Sequence, residues 1–132
     1  MNSRKMFADV TCGAVAVGVL LTSPPAALAA GSIQFTGGSA CDSTGNGGFV
    51  CYFNVTGGTT PYTATWSSSN GWATVTRTTV SRINTRPIEY EIGGYGSCTI
   101  GTSSYITLRV SDSAGHVATT TGALNCTAGS EA

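Results

Sequence analysis

The sequence predicts an all-β domain, an antiparallel sandwich of about seven short strands behind an N-terminal export signal. Three observations predict it. Beyond residue 30 the chain is rich in Thr, Ser and Gly, poor in Leu and without Lys, a composition that disfavours helices and suits extended segments joined by tight turns. Period-two alternation of apolar and polar residues recurs, and helical periodicity is absent. Turn-forming clusters interrupt the alternation about every 8–12 residues, the spacing of a sandwich.

The chain has 132 residues. Residues 1–29 read as a signal peptide: Arg4 and Lys5 open it, an apolar run covers 10–21, and Ala27-Leu28-Ala29 is a small-x-small cleavage site. The apolar run is too short for a membrane span, which needs roughly 20 residues. Residues 3–7 (SRKMF) are similar to a twin-arginine signal with lysine in the second place, so general secretion is expected and the twin-arginine route stays open. No cysteine follows the cleavage site to carry a lipid. Residues 30–132 are then one domain, expected as a monomer, secreted or held at the cell wall by non-covalent contacts. Its charges are few and scattered: Arg77, Arg82, Arg86 and Arg109 against Asp42, Glu89, Glu91, Asp112 and Glu131. Such a surface has no footprint for nucleic acid or anionic membrane.

The elements follow in order. Residues 33–35, extending toward Cys41, read as an edge strand, and 42–48 (DSTGNGG) as a turn. In 49–56 (FVCYFNVT), Phe49, Cys51, Phe53 and Val55 share one face. Residues 57–61 (GGTTP) break the chain, and 62–67 (YTATWS) alternates Tyr62, Ala64 and Trp66 against Thr63, Thr65 and Ser67. After a loop at 68–71, residues 72–80 form a Thr-rich strand, and 82–86 a connection. Pro87 suits a strand start, where no ladder donor is needed. Ile88, Tyr90 and Ile92 then face inward and Glu89 and Glu91 outward. Residues 93–97 (GGYGS) read as a loop; 105–110 places Ile106, Leu108 and Val110 on one face; 112–115 (DSAG) is a hairpin turn; 116–124 is the last strand.

Five cysteines are present, and Cys12 leaves with the signal. The even set that remains, in a small exported domain, reads as two disulfides. Cys41 and Cys51 flank the turn at 42–48. Opposed residues in an antiparallel hairpin keep a constant sum of their numbers, and the sum for Cys98 and Cys126 is close to the one set by the turn at 112–115. The expected pairs are Cys41–Cys51 and Cys98–Cys126; Cys51–Cys98 with Cys41–Cys126 is the alternative.

Residues 57–67 (GGTTPYTATWS) and 108–115 (LRVSDSAG) occur in the order and separation of two segments of PKD-like, immunoglobulin-like repeats, and the chain from Val50 to Ala118 resembles that family. The resemblance implies an immunoglobulin-like sandwich, as in small disulfide-bonded exported actinobacterial proteins, with Trp66 packed between the sheets. It implies no activity, because this sandwich hosts many functions. The family's aromatic before the late strand would fall at Ser104, whereas the tyrosine is Tyr105, so a bulge or an exposed Tyr105 is expected.

No catalytic set is legible. His116 and Asp112 flank one tight turn, with no sign of a buried orienting carboxylate or an oxyanion hole. Glu89 and Glu91 are an i, i+2 pair explained by a solvated strand face, with cross-strand pairing to Arg77, Arg82 or Arg109 expected. The cysteine spacing suits no zinc site, and neither Asp42 with Asn46 nor the Asp112 turn matches a calcium loop. No cofactor or metal is expected. Gly57 and Gly58 lack the strand–loop–helix setting of a phosphate loop. What remains is aromatic: Trp72, Tyr95 and Tyr105 form the candidate binding surface, suited to sugar stacking or protein docking. The expected function is a secreted, non-catalytic binding or cell-surface module for an extracellular protein or polysaccharide. The alternatives are a small protease inhibitor or effector presenting the 93–97 loop, and a small-ligand carrier.

Overall fold

Period-two alternation becomes seven strands: β1 (Ile33–Gly45), β2 (Gly48–Gly57), β3 (Thr63–Ser68), β4 (Ala73–Thr85), β5 (Ile88–Cys98), β6 (Ser103–Ser111) and β7 (Val117–Asn125). The structure, a computed structural model, describes residues 31–129, without the side chains of 38–40. The expected signal peptide with Cys12, and its cleavage boundary, lie outside the described residues. All pairings are antiparallel, and the strands form two sheets, ordered β1-β2-β5-β4 and β3-β6-β7. No helix among the described residues is long and apolar enough to cross a membrane.

The core lies between the sheets, where the predicted inward faces meet. Phe49, Cys51, Phe53 and Val55 of β2 and Ile92 of β5 pack with Ile106, Leu108 and Val110 of β6 and Leu124 of β7. Full burial of each large apolar side chain contributes about 1.5–3 kcal/mol. Trp66 of β3 reaches across to Phe53, with ring centroids 6.0 Å apart. Its Nε1–H donates to Thr78 Oγ1 of β4 at 3.0 Å, so the polar edge of the indole is satisfied where it emerges.

Four elements differ from the sequence reading. The segment 42–48 is mostly strand: Asp42 and Ser43 pair with Val50 and Phe49, and the turn narrows to Asn46 and Gly47. Ser43 is buried, its hydroxyl bonded to the Thr127 backbone, which fixes the C-terminal tail against β1. Residues 82–86 are not a connection, because β4 runs on to Thr85 in register with β5 and the hairpin turns at Arg86-Pro87. Ile88 does not face a core; it sits in the last pair of that hairpin, opposite Thr85, and is 51% exposed.

Residues 93–97 are the fourth difference: they are the middle of β5, not a loop. Their glycines serve packing instead of turning. A Cβ on Gly94 would stand 2.7 Å from Trp66 Cζ2, so the absent side chain is the seat of the indole.

The structure joins Cys41 to Cys51 as directly opposed residues of β1 and β2, Cα–Cα 4.0 Å. Cys98 is joined to Cys126, Cα–Cα 6.1 Å. Cys98 ends β5 in one sheet and Cys126 follows β7 in the other, so this bridge ties the two sheets together. The pair is the one expected from the hairpin register, and the fold adds that it links the sheets.

Candidate functional site

The loops collect at two ends. At one, the β1–β2 turn, the β3–β4 loop, the β5–β6 turn and the C-terminal tail are bonded to one another: Cys98 N–H to Gly47 O at 2.7 Å, Thr99 N–H to Trp72 O at 2.8 Å, Gly101 N–H to Cys126 O at 2.8 Å. Asn70 organises this end. Its Nδ2 donates to Ser103 O at 3.1 Å, and its Oδ1 accepts from Ser104 Oγ at 2.8 Å and from Trp72 N–H at 3.1 Å. Ser69 clamps Tyr105 from both sides, donating its amide to Tyr105 O at 3.0 Å and accepting Tyr105 N–H on Oγ at 2.9 Å.

Trp72 is 52% and Tyr105 61% exposed on this frame, and Ile100 of the β5–β6 turn is 51% exposed beside it. The β6–β7 register has no bulge, so the displaced tyrosine is exposed and Ser104 takes the buried position. Tyr105 stands on the outer face of the three-stranded sheet, where Ser67, Thr107 and Thr121 form a cross-strand row and the Thr107 and Thr121 hydroxyls are 3.0 Å apart. Neither 63–76 nor 97–108 contains a charged residue. A shallow hollow of about 260 Å³ opens beside the loop, lined by Ser68, Asn70, Ala73, Val75 and Ile106 among others.

Tyr95 is elsewhere. It stands on the outer face of the four-stranded sheet, edge-on to Tyr52 with hydroxyls 3.1 Å apart, and the Arg77 guanidinium carbon lies 3.9 Å from its ring centroid. The hydrogen bond with Tyr95, followed by burial, raises the Tyr52 phenol above its ordinary value. The tyrosine is a partner in a self-satisfied cluster on the other sheet, whereas the backbones of Trp72 and Tyr105 are bonded to the adjacent Asn70 and Ser69.

Of the polar candidates, Asp112 departs from expectation. Its side chain is buried, and His116 Nδ1 lies 2.9 Å from Oδ2. The carboxylate also accepts the amides of Thr59 at 2.8 Å, Ala114 at 3.0 Å and His116 at 2.7 Å. Burial acts to raise its pKa, but the bonds from Thr59 and His116 outweigh it and hold the group at about 2. A buried orienting carboxylate is therefore present. Its bonds tie the β2–β3 loop to the β6–β7 turn, and Ser113 Oγ is engaged with Thr59 O and Thr60 O. Glu89 bonds to Thr36 Oγ1 across the sheet, and no ion pair joins Glu89 or Glu91 to an arginine among the described residues. Asp42 lies in β1 opposite Val50, apart from the turn that holds Asn46. Among the described residues no cluster of His, Cys, Asp and Glu could hold a metal ion.

The sequence reading missed a cleft at the opposite end. The β4–β5 hairpin continues past the start of β3, so its inner face is left partly uncovered. Thr60, Pro61, Tyr62, Val80 and Tyr90 line an open cleft of about 420 Å³. An adjoining recess of about 290 Å³ shares Thr60, Tyr62 and Tyr90 and adds Gly57 and Ile88. The Tyr62 and Tyr90 rings meet edge to face, centroids 5.4 Å apart, and Tyr62 OH donates to Gly57 O at 2.6 Å. Alternation placed both tyrosines on inward faces; the signal that the space between them stays open is the difference in length between β3 and β4, which the misread 82–86 connection concealed. No family model matches this chain, and no curated protein or solved structure matches it.

Proposed function

We propose that this chain is an exported, non-catalytic binding domain of immunoglobulin-like, PKD-like architecture that engages a neutral extracellular polysaccharide through its Trp72–Tyr105 end. The strand order supports the architecture: β1-β2-β5-β4 against β3-β6-β7 is the order of an immunoglobulin constant-type sandwich, and Trp66 lies on the third strand, where such sandwiches carry a buried Trp. The disulfides depart from the antibody pattern, because Cys51 of β2 bonds to β1 and not across the sheets. Two disulfides support an oxidising, extracellular setting.

The observation that carries the ligand class is an exposed Trp72 and Tyr105 on an Asn70-pinned frame, each within an uncharged stretch of sequence. Aromatic faces suit the C–H faces of sugar rings, and the neighbouring Ser, Thr and Asn groups suit sugar hydroxyls. Trp and Tyr side chains, with two χ angles each, lose little freedom on binding. The inhibitor alternative loses its presenting loop, because 93–97 lies inside β5.

Affinity electrophoresis through gels containing neutral glucans, with pull-down on cellulose and chitin, tests the reading. Trp72→Ala and Tyr105→Ala should each weaken retention about tenfold, the equivalent of one lost aromatic contact, with unchanged melting temperature. Absence of retention on every neutral polysaccharide, or full retention by both variants, would reject it.

A further inference from the structure

We infer that the cleft at the other end of the sandwich is a binding site for a small organic anion with a flat apolar body. This site is independent of the Trp72–Tyr105 surface, since it is built from the β2–β3 loop and the overhanging β4–β5 hairpin.

Strand register sorts the hairpin's side chains by face. Opposed residues of an antiparallel pair share a face. Val80 is opposite Ile92, and Arg82 is opposite Tyr90, so Val80, Arg82 and Tyr90 all belong to the inner face of the hairpin. Ile92 is fully buried, whereas Val80 is 47% exposed. The covering sheet therefore reaches Ile92 of β5 but not its partner Val80 on the edge strand β4. What the inner face meets there is the Thr60–Tyr62 segment, with the Tyr62 and Tyr90 rings at right angles. The result is a space of about 420 Å³ walled by Pro61, Tyr62, Val80 and Tyr90, within the range of small-ligand sites, roughly 300–1,000 Å³.

Charge selects the occupant. Alternation sorts the hairpin's ionic groups by face. Glu89 is turned to Thr36 and Glu91 is paired with Ser81, both on the outer side. Arg82 alone of the strand charges shares the face of the cleft, and Arg86 stands in the turn above it. No ion pair engages either arginine among the described residues. The nearby carboxylate, Asp112, is committed to Thr59 and His116 behind Tyr62. Register sets Arg82 opposite Tyr90, a lining residue, and a guanidinium on the face of an aromatic-walled cleft is complementary to a carboxylate or sulfonate attached to a flat ring system. A cation would meet Arg82, and a neutral polar ligand would leave it unused.

The wall is built to persist. Asp112 holds Thr59, and Ser113 holds the carbonyls of Thr59 and Thr60, so the segment leading into Pro61 and Tyr62 is anchored to the β6–β7 turn. A preformed cleft limits the ordering needed on binding.

Fluorescence titration of the disulfide-intact protein with anilinonaphthalene sulfonate, beside the uncharged phenylnaphthylamine, tests the site. The anionic probe should bind at one equivalent and perturb the Tyr62 and Tyr90 amide resonances. Val80→Trp, which fills the cleft from an exposed position, should abolish binding of both probes with the melting transition retained. Arg82→Gln should weaken the anionic probe about tenfold, one charge-assisted contact, and leave the neutral probe unchanged, while Arg82→Lys restores part of the loss. Trp72→Ala, at the opposite end, should change neither. Failure of the anionic probe to bind, its binding to folded Val80→Trp as to the parent, or equal weakening of both probes by Arg82→Gln would overturn the assignment.

Discussion

The indole of Trp66 rests on the backbone of Gly94. Trp66 comes from the three-stranded sheet and Gly94 from the four-stranded one, so this contact is where the sheets approach across the β3–β4 side. A methyl group at Gly94 would meet three ring atoms, at 2.7, 2.8 and 2.9 Å. The indole cannot retreat without breaking its bond to Thr78 and its packing on Phe53.

Gly94→Ala is therefore expected to destabilise the fold by about 1–3 kcal/mol, the usual range for overpacking a filled core. The gain from restricting the unfolded chain, about 0.4–1 kcal/mol, offsets only part of this. Gly71 is the control, because nothing lies within 4 Å of a Cβ built there; Gly71→Ala should change stability by less than about 0.5 kcal/mol. Urea unfolding followed by Trp fluorescence measures both. Equal stability of the two variants would show that the Trp66–Gly94 contact is slack.

The same pair shows what was readable in the sequence. Strand periodicity located β2, β3 and β6 closely, because apolar and polar residues alternate there without interruption. It failed at Gly93, Gly94 and Gly96, where the packing partner is a residue on another strand and the local sequence carries only the absence of a side chain. It failed again at 82–86, where an exposed hairpin tip has no buried face to impose a pattern. The Trp72–Tyr105 surface was half legible: both residues were identifiable as surplus aromatics, but Asn70, which binds the loops together, reads locally as a turn residue. The cleft was not legible, since it arises from the unequal lengths of β3 and β4.

The two disulfides should contribute unequally. Cys41 and Cys51 are separated by 10 positions and are already neighbours in a hairpin, whereas Cys98 and Cys126 are separated by 28 and join different sheets. On the loop-entropy account, each stabilises by about 2–4 kcal/mol, with the longer loop exceeding the shorter by about 1 kcal/mol. Cys98→Ala/Cys126→Ala should therefore lower the melting temperature further than Cys41→Ala/Cys51→Ala. It should also raise amide exchange at Thr99, Gly101 and Cys126→Ala itself, whose backbone bonds close that end. The reverse order of melting temperatures would mean that β1, held to β2 by an irregular register, depends on its disulfide for more than chain entropy.

The Tyr52 phenol offers a spectroscopic check of the outer sheet face. Its pKa is raised chiefly by the hydrogen bond with Tyr95. Tyr95→Phe removes that bond, so the Tyr52 titration, followed by ultraviolet difference absorbance, should move down toward 10.0. The raised folded value means that this bond favours the native state below pH about 10 and ceases to do so as pH rises through the folded pKa. An unchanged titration in Tyr95→Phe would assign the shift to burial instead.

Asp112 connects acid stability to the anchoring of the β2–β3 loop. Its folded pKa of about 2 lies below its ordinary value of 3.8. A depressed carboxylate stabilises the native state fully above the unfolded pKa, and the contribution is lost as pH falls through the folded one. The relevant window is thus from about pH 4 down to about pH 2, where protonation removes the charged acceptor that holds Thr59 and His116. Asp112→Asn keeps the shape but not the charge. It should melt below the parent protein at pH 5 to 7, and the gap should close as pH falls from about 4 to about 2. Exchange of the Thr59 amide should rise in the variant at neutral pH, since that amide donates to Asp112 Oδ2. A gap between the two proteins that stays constant down to pH 2 would show that Asp112 acts through shape alone, and that its charge does not hold the loop from which Pro61 and Tyr62 line the cleft.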